Sequence, residues 1–165
     1  MGLLGGSGTG VCFCPTTERD LADGIGPARD LVDRGASLSL GSDSHAVVDL
    51  FEEARAMEMH ERLDSLQRGR FRQDELLSAA TRHESLGWGD AGRLEVGARA
   101  DLVAVRLDSP RTAGSLPEQI LMSATAADID TVIVDGRTVV TGGRHLLGDV
   151  GSLLQKAIDP IWKRS

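Results

Sequence analysis

Two short apolar runs, Val11-Cys12-Phe13-Cys14 and Ala36-Ser37-Leu38-Ser39-Leu40-Gly41, flank a segment with clear helix signals. That order constrains the fold more than any other feature of the chain. Pro15 stops the first run, as expected at the end of a strand. Pro27 suits a first helical turn; Ala28, Leu31 and Val32 make an apolar stripe, and Gly35 closes it. Strand, helix and strand within about thirty residues predict a βαβ unit, two parallel strands joined by a right-handed crossover. Alternation along the first strand puts Cys12 and Cys14 on one face, where they read as small buried hydrophobes. One residue between the thiols is too few for a zinc knuckle or a redox pair.

The rest of the chain divides by period. From Val47 the spacing is helical, with Val47, Leu50, Phe51, Ala54 and Met57 inward and Glu52, Glu53, Arg55 and Glu58 read as a solvated face. Glu58 and Glu61 fall on the same stripe, which predicts a solvated far end. A second helix opens near Asp74, with Leu76, Leu77 and Ala80 inward and Gly87 beyond its end. Near residue 92 the signals turn to strands: a turn over 92–97, a strand over 100–105, and a short helix from Pro117 carrying Ile120, Leu121 and Ala124. Asp135-Gly136 between Ile129–Val134 and Thr138–Thr141 is a strong hairpin signal. A last helix is expected from Ser152 to Pro160, with Leu153, Leu154, Ala157 and Ile158 on one side. These patterns predict an α/β unit over 1–91 and a strand-rich unit over 92–165.

Composition excludes several function classes. Lys and Arg total 18 against 25 Asp and Glu, a formal charge of -7. A nucleic-acid partner is therefore disfavoured, because neutralising phosphates needs a basic face. No run approaches the ~20 apolar residues of a membrane helix, and the opening residues lack a secretory pattern. The expectation is a cytoplasmic globular protein acting on a small molecule. With no Tyr and 3% aromatics, the core is expected to rest on Leu, Val, Ile and Ala. Gly6-Ser7-Gly8-Thr9-Gly10 lacks the lysine of a P-loop and reads as a flexible turn.

Asp43 carries the most chemistry. It follows the second strand in Gly41-Ser42-Asp43-Ser44-His45-Ala46, at the end where parallel α/β barrels hold their reactive groups. A carboxylate there ligates a metal or accepts a proton from water; equally, Asp43 caps the following helix together with Ser44. His45 is a metal ligand, a partner that orients Asp43, or a polar residue at a helix start. Thr16, Thr17 and Glu18 follow the first strand and reach the same end of the sheet, as pocket groups or as ordinary loop residues. His60, His83 and His145 form no ligand motif and read as solvated.

The run Cys14-Pro15-Thr16-Thr17-Glu18 with Asp23-Gly24 and Pro27-Ala28, and the run from Gly41 to Ala46 with Asp49-Leu50-Phe51-Glu52-Glu53-Ala54-Arg55, resemble the formimidoylglutamate deiminase family of the amidohydrolase superfamily. Residues 97–103 and 132–137 are similar to the closing strands of many amidohydrolases. The resemblance implies the C-terminal part of a metal-dependent (β/α)8 barrel with the trailing strands of a small β-sandwich. It implies zinc as cofactor and hydrolysis of N-formimidoyl-L-glutamate to N-formyl-L-glutamate and ammonia in histidine breakdown. Asp43 matches the family's metal-binding, proton-shuttling aspartate at the end of the eighth strand. The family's His-x-His on the first strand and its histidines on the fifth and sixth have no counterpart here and are expected to lie before Met1. The chain is thus expected to be inactive alone, and either to need that missing segment or to form a homo-oligomer. The other reading is a non-catalytic α/β fragment that folds or oligomerises without metal.

Overall fold

The computed structural model describes residues 2–163; Met1 of the opening run and Arg164 and Ser165 at the end of the strand-rich unit lie outside it. A short helix α1 (Gly2–Gly6), with no counterpart in the sequence reading, precedes the first strand, and the expected turn follows it at Ser7 and Gly8. Strand β1 (Gly10–Phe13) and strand β2 (Ser37–Leu40) then pair in parallel, Val11 opposite Leu38 and Phe13 opposite Leu40. The predicted βαβ pair is present. Its connection holds two helices, α2 (Pro15–Asp20) and α3 (Ala28–Asp33). Thr16, Thr17 and Glu18, expected in a loop, form the first turns of α2.

Period-two alternation gives this pair two different faces. Val11, Phe13, Leu38 and Leu40 turn toward the helices and join the core, while Gly10, Cys12, Ser37 and Ser39 occupy the other side. The expectation of buried cysteines is corrected here: Cys12 is exposed and Cys14 half-buried, because their face is not the one the helices cover. The core itself depends on Phe13, Phe71 and Met57 besides Leu and Ala.

Helix α4 (Leu50–Ser65) begins three residues later than Val47. Asp49 explains the start, since its Oδ1 accepts from Phe51 N at 2.9 Å and Glu52 N at 3.4 Å. Ala54 and Met57 face the core as expected, but Glu53, Glu58 and Glu61 are buried beside them. The solvated face is corrected accordingly: these three carboxylates satisfy backbone N–H groups of other segments. Glu58 accepts from Phe71 N at 2.7 Å and Gly69 N at 2.9 Å, and Glu61 accepts from Arg29 N, at the start of α3, at 2.7 Å. Leu50, expected inward, is 46% exposed.

Helix α5 (Gln73–Ala80) turns Leu76 and Ala79 inward and leaves Leu77 outside. It opens at Arg72, whose N–H bonds Glu75 at 2.8 Å, so Asp74 lies inside the first turn. After residue 92 the chain builds an antiparallel sheet ordered β3 (Leu102–Val105), β4 (Ile129–Val134), β5 (Arg137–Thr141) and β6 (Arg144–His145). The expected hairpin joins β4 and β5, with Asp135 at φ 50 and Gly136 at φ 75 as a type I′ turn requires. The segment Pro117–Met122 is a 3₁₀ helix. The last helix, α6 (Val150–Trp162), is capped by Asp149 rather than Ser152 and runs through Pro160, which removes only one N–H near its end. Among the described residues β1 and β2 form a two-stranded sheet, and the barrel is not closed.

Candidate functional site

The site begins where β2 ends. Gly41 N still donates to Phe13 O at 3.0 Å, so the pairing carries one residue past the strand. A Cβ on Gly41 would stand 3.2 Å from the Cys14 sulfur and 3.3 Å from that of Cys12, so a larger residue would need both thiols to shift slightly. Ser42, Asp43, Ser44 and His45 then make a tight turn, closed by His45 N donating to Ser42 O at 2.9 Å. Asp43 (φ 40) and His45 (φ 59) both have left-handed backbones. Such residues persist only where their surroundings hold them, and they concentrate at functional sites.

Asp43 and His45 are exposed at the C-terminal end of the parallel pair. Asp43 does not cap the next helix; Asp49 does. From α2, just after the first strand, Thr17 reaches the same turn, its hydroxyl 3.3 Å from Ser42 O and 3.1 Å from Ser44 Oγ. Glu18 turns back to accept from Cys14 N at 2.9 Å. Burial and the adjoining Cys12 thiol push the Cys14 thiol up to about 12, with the carboxylates of Asp43 and Glu18 adding to the effect. Cys14 is thus a neutral thiol at physiological pH and no nucleophile.

The other histidines lie elsewhere. The His83 ring bonds Thr81 O at 2.7 Å, and His145 Nδ1 accepts from Leu147 N at 3.1 Å. His60 is half-buried on α4, where burial and the Arg19 guanidinium hold it below the usual imidazole range. It is therefore not the solvated side chain expected. One site-forming residue escaped the sequence reading: Glu53, expected on a solvated face, is fully buried. Glu53 accepts from Thr16 N at 2.9 Å and from the Thr16 hydroxyl.

The Amidohydrolase family model matches residues 4–139. The chain belongs to the amidohydrolase family. Among curated relatives, it is 32% identical over 94% of its length to 5-methylthioadenosine/S-adenosylhomocysteine deaminase of Natronomonas pharaonis, covering 37% of that protein. It is 35% identical over 84% of its length to formimidoylglutamate deiminase of Pseudomonas aeruginosa, covering 33% of that one. A zinc-bound crystal structure of an adenosine deaminase from Xanthomonas campestris superposes with a TM-score of 0.87 at 27% identity, over 95% of this chain and 38% of that one. This amidohydrolase chain therefore spans little more than a third of the length of the relatives it matches. Its fold is that of the corresponding part of an amidohydrolase, mixed α/β without barrel closure.

Zinc in protein sites takes three or four protein ligands. Among the described residues no three His, Cys, Asp or Glu side chains converge in that way. Asp43 can offer one carboxylate, and the residues present do not by themselves fit the ion. Among the described residues no helix is long and apolar enough to cross a membrane.

Proposed function

We propose that this chain contributes the last βα units (residues 1–91) and the closing strands (92–165) of an amidohydrolase that releases ammonia from a small C–N substrate. Asp43 is its catalytic residue. The observation that carries the reading is the placement of Asp43: a carboxylate at the C-terminal end of a parallel strand pair, exposed, in a turn with left-handed backbone. The substrate favoured is N-formimidoyl-L-glutamate. The runs Cys14–Glu18 and Gly41–Ala46, and the 35% identity to the Pseudomonas aeruginosa deiminase, support it.

In that reaction water adds to the formimidoyl carbon, the bond from that carbon to its terminal nitrogen breaks, and N-formyl-L-glutamate and ammonia result. Asp43 takes the proton lost by the water and returns it to the leaving nitrogen. If the complete enzyme holds a metal, Asp43 would be one of its ligands, and the others would have to come from residues other than these 165. Completion comes from the rest of the barrel, with a second copy of the chain as the other candidate partner. A second substrate reading is a 5′-substituted adenosine, favoured by the 32% identity that extends over 94% of the chain.

The test is ammonia release by the complete enzyme that includes this chain, offered formimidoylglutamate and 5′-methylthioadenosine in turn. Turnover of the first is expected, and turnover of the second alone would move the assignment to the adenosine class. Asp43→Asn should lower turnover by ~10²–10⁴-fold, the usual worth of a placed acid–base group. Asn tolerates a left-handed backbone better than most residues, so the turn should survive. Near-native turnover in this variant would remove Asp43 from the mechanism, and no turnover of either substrate by the complete enzyme would favour the non-catalytic reading.

A further inference from the structure

The turn that carries Asp43 is held from outside as well as by its own bond. Thr17 is buried, and its hydroxyl meets both Ser42 O and Ser44 Oγ, the residues on either side of Asp43. A threonine hydroxyl has one proton to give. Donated to Ser42 O, it leaves the oxygen free to accept from Ser44, so one side chain grips both neighbours of Asp43. Ser42 O is gripped a second time by His45 N.

Thr17 is placed in turn by the residue before it. The N-terminal turn of α2 has no side-chain cap, because Cys14 makes no capping bond. Thr16 N would be left without an acceptor in a buried setting, which is costly. Glu53, fully buried on α4 and 37 residues away in sequence, accepts from that N–H and from the Thr16 hydroxyl. No basic side chain is bonded to Glu53 among the described residues, so Thr16 is its anchor.

We propose that Glu53 and Thr17 are positioning residues for the reaction: Glu53 pins Thr16, Thr17 clamps Ser42 and Ser44, and the carboxylate of Asp43 is aimed between them. Neither touches substrate. The inference rests on the catalytic reading of Asp43, and its test separates the two.

Hydrogen exchange of the 165-residue chain reads the clamp without any activity. Thr17→Val, nearly the same shape without the hydroxyl, should speed exchange of the His45 amide roughly tenfold, about the worth of one hydrogen bond. Amides of α5 should be unchanged, and Thr17→Ser should restore the slow rate. Glu53→Gln should also speed His45, through Thr16. In the complete enzyme Thr17→Val should lower kcat by about 10- to 100-fold with KM within twofold, the cost of a misaimed group, and Thr17→Ser should recover most of it. Unchanged His45 exchange in Thr17→Val would overturn the clamp. Faster exchange with unchanged kcat, while Asp43→Asn is inactive, would overturn its role in aiming. If Asp43→Asn stays active, the catalytic reading fails, and this proposal falls with it as a statement about catalysis even where exchange reports the clamp.

Discussion

Arg111 and Asp128 meet as a two-pronged pair, Nε to Oδ2 and Nη2 to Oδ1, both at 2.9 Å. Thr125 N adds a third bond to the same carboxylate at 2.9 Å. The Arg111 guanidinium, followed by the hydroxyl of Ser109, holds the Asp128 carboxyl far below the usual carboxylate range. A depressed native pKa stabilises the fold wherever the unfolded group is already ionised, above about pH 4, and that contribution fades as pH falls below it. Asp128→Asn should therefore cost stability at pH 7 and cost progressively less below pH 4. Urea unfolding at pH 7 and pH 3 measures this, and an equal loss at both would refute it. Single residues differed in how well the sequence displayed them. Asp43 was legible because its position after a strand is a matter of order along the chain. Glu53 was not: its partner is a backbone N–H, which leaves no mark on residue type, and a glutamate among Leu50, Ala54 and Met57 looks like the wet edge of a stripe. Cys12 and Cys14 were placed on one face correctly, yet periodicity could not say which face the helices cover.

At the level of elements, α4 is a helix whose inner side does the capping for its neighbours. Glu58 is the clearest case, serving Phe71 N, Gly69 N and Arg62 Nε (2.6 Å) at once. Glu58→Ala should destabilise by about 2–4 kcal/mol, since each orphaned N–H costs about 1–3 kcal/mol and water can reach Gly69. Glu58→Gln should cost less, because one oxygen still accepts. A loss under ~0.5 kcal/mol for the alanine variant, the level of ordinary surface changes, would mean that solvent replaces these bonds. Strands β1 to β5 and the hairpin are legible in the sequence to within a few residues, because alternation and Asp-Gly are local properties, whereas the two-residue β6 is too short to alternate. Helix starts were missed where the cap was not the residue that apolar spacing suggested: Asp49 for α4, Arg72 for α5 and Asp149 for α6. The stripe on α6 was legible, but its exposure was not, since Leu153, Leu154 and Ile158 have the spacing of buried residues and are 47%, 56% and 44% exposed.

For the whole molecule, the parallel pair has an unpaired strand edge on either side among the described residues, and α6 turns apolar side chains outward. Open edges and apolar faces invite pairing with other chains. The 165-residue chain alone should therefore self-associate, and light scattering that returned a monodisperse monomer would contradict this. After dialysis with zinc it should retain less than one ion per chain, which elemental analysis checks; one tightly held zinc would overturn the incomplete site. Polar bonds tie helix α4 and its cap to the segment before β4. Arg55 bonds Met122 O at 3.3 Å and Ala124 O at 2.5 Å, and Asp49 gives Oδ1 to the start of α4 while Oδ2 accepts from Ala126 N at 2.8 Å, 77 residues onward. That span has a consequence in time. A ribosome adding about 5–20 residues per second delivers Ala126 some 4–15 s after Asp49, so the bond to this second oxygen cannot form until that much later. The core that α4 shares with Leu121 is thus completed only when the later part of the chain has been made.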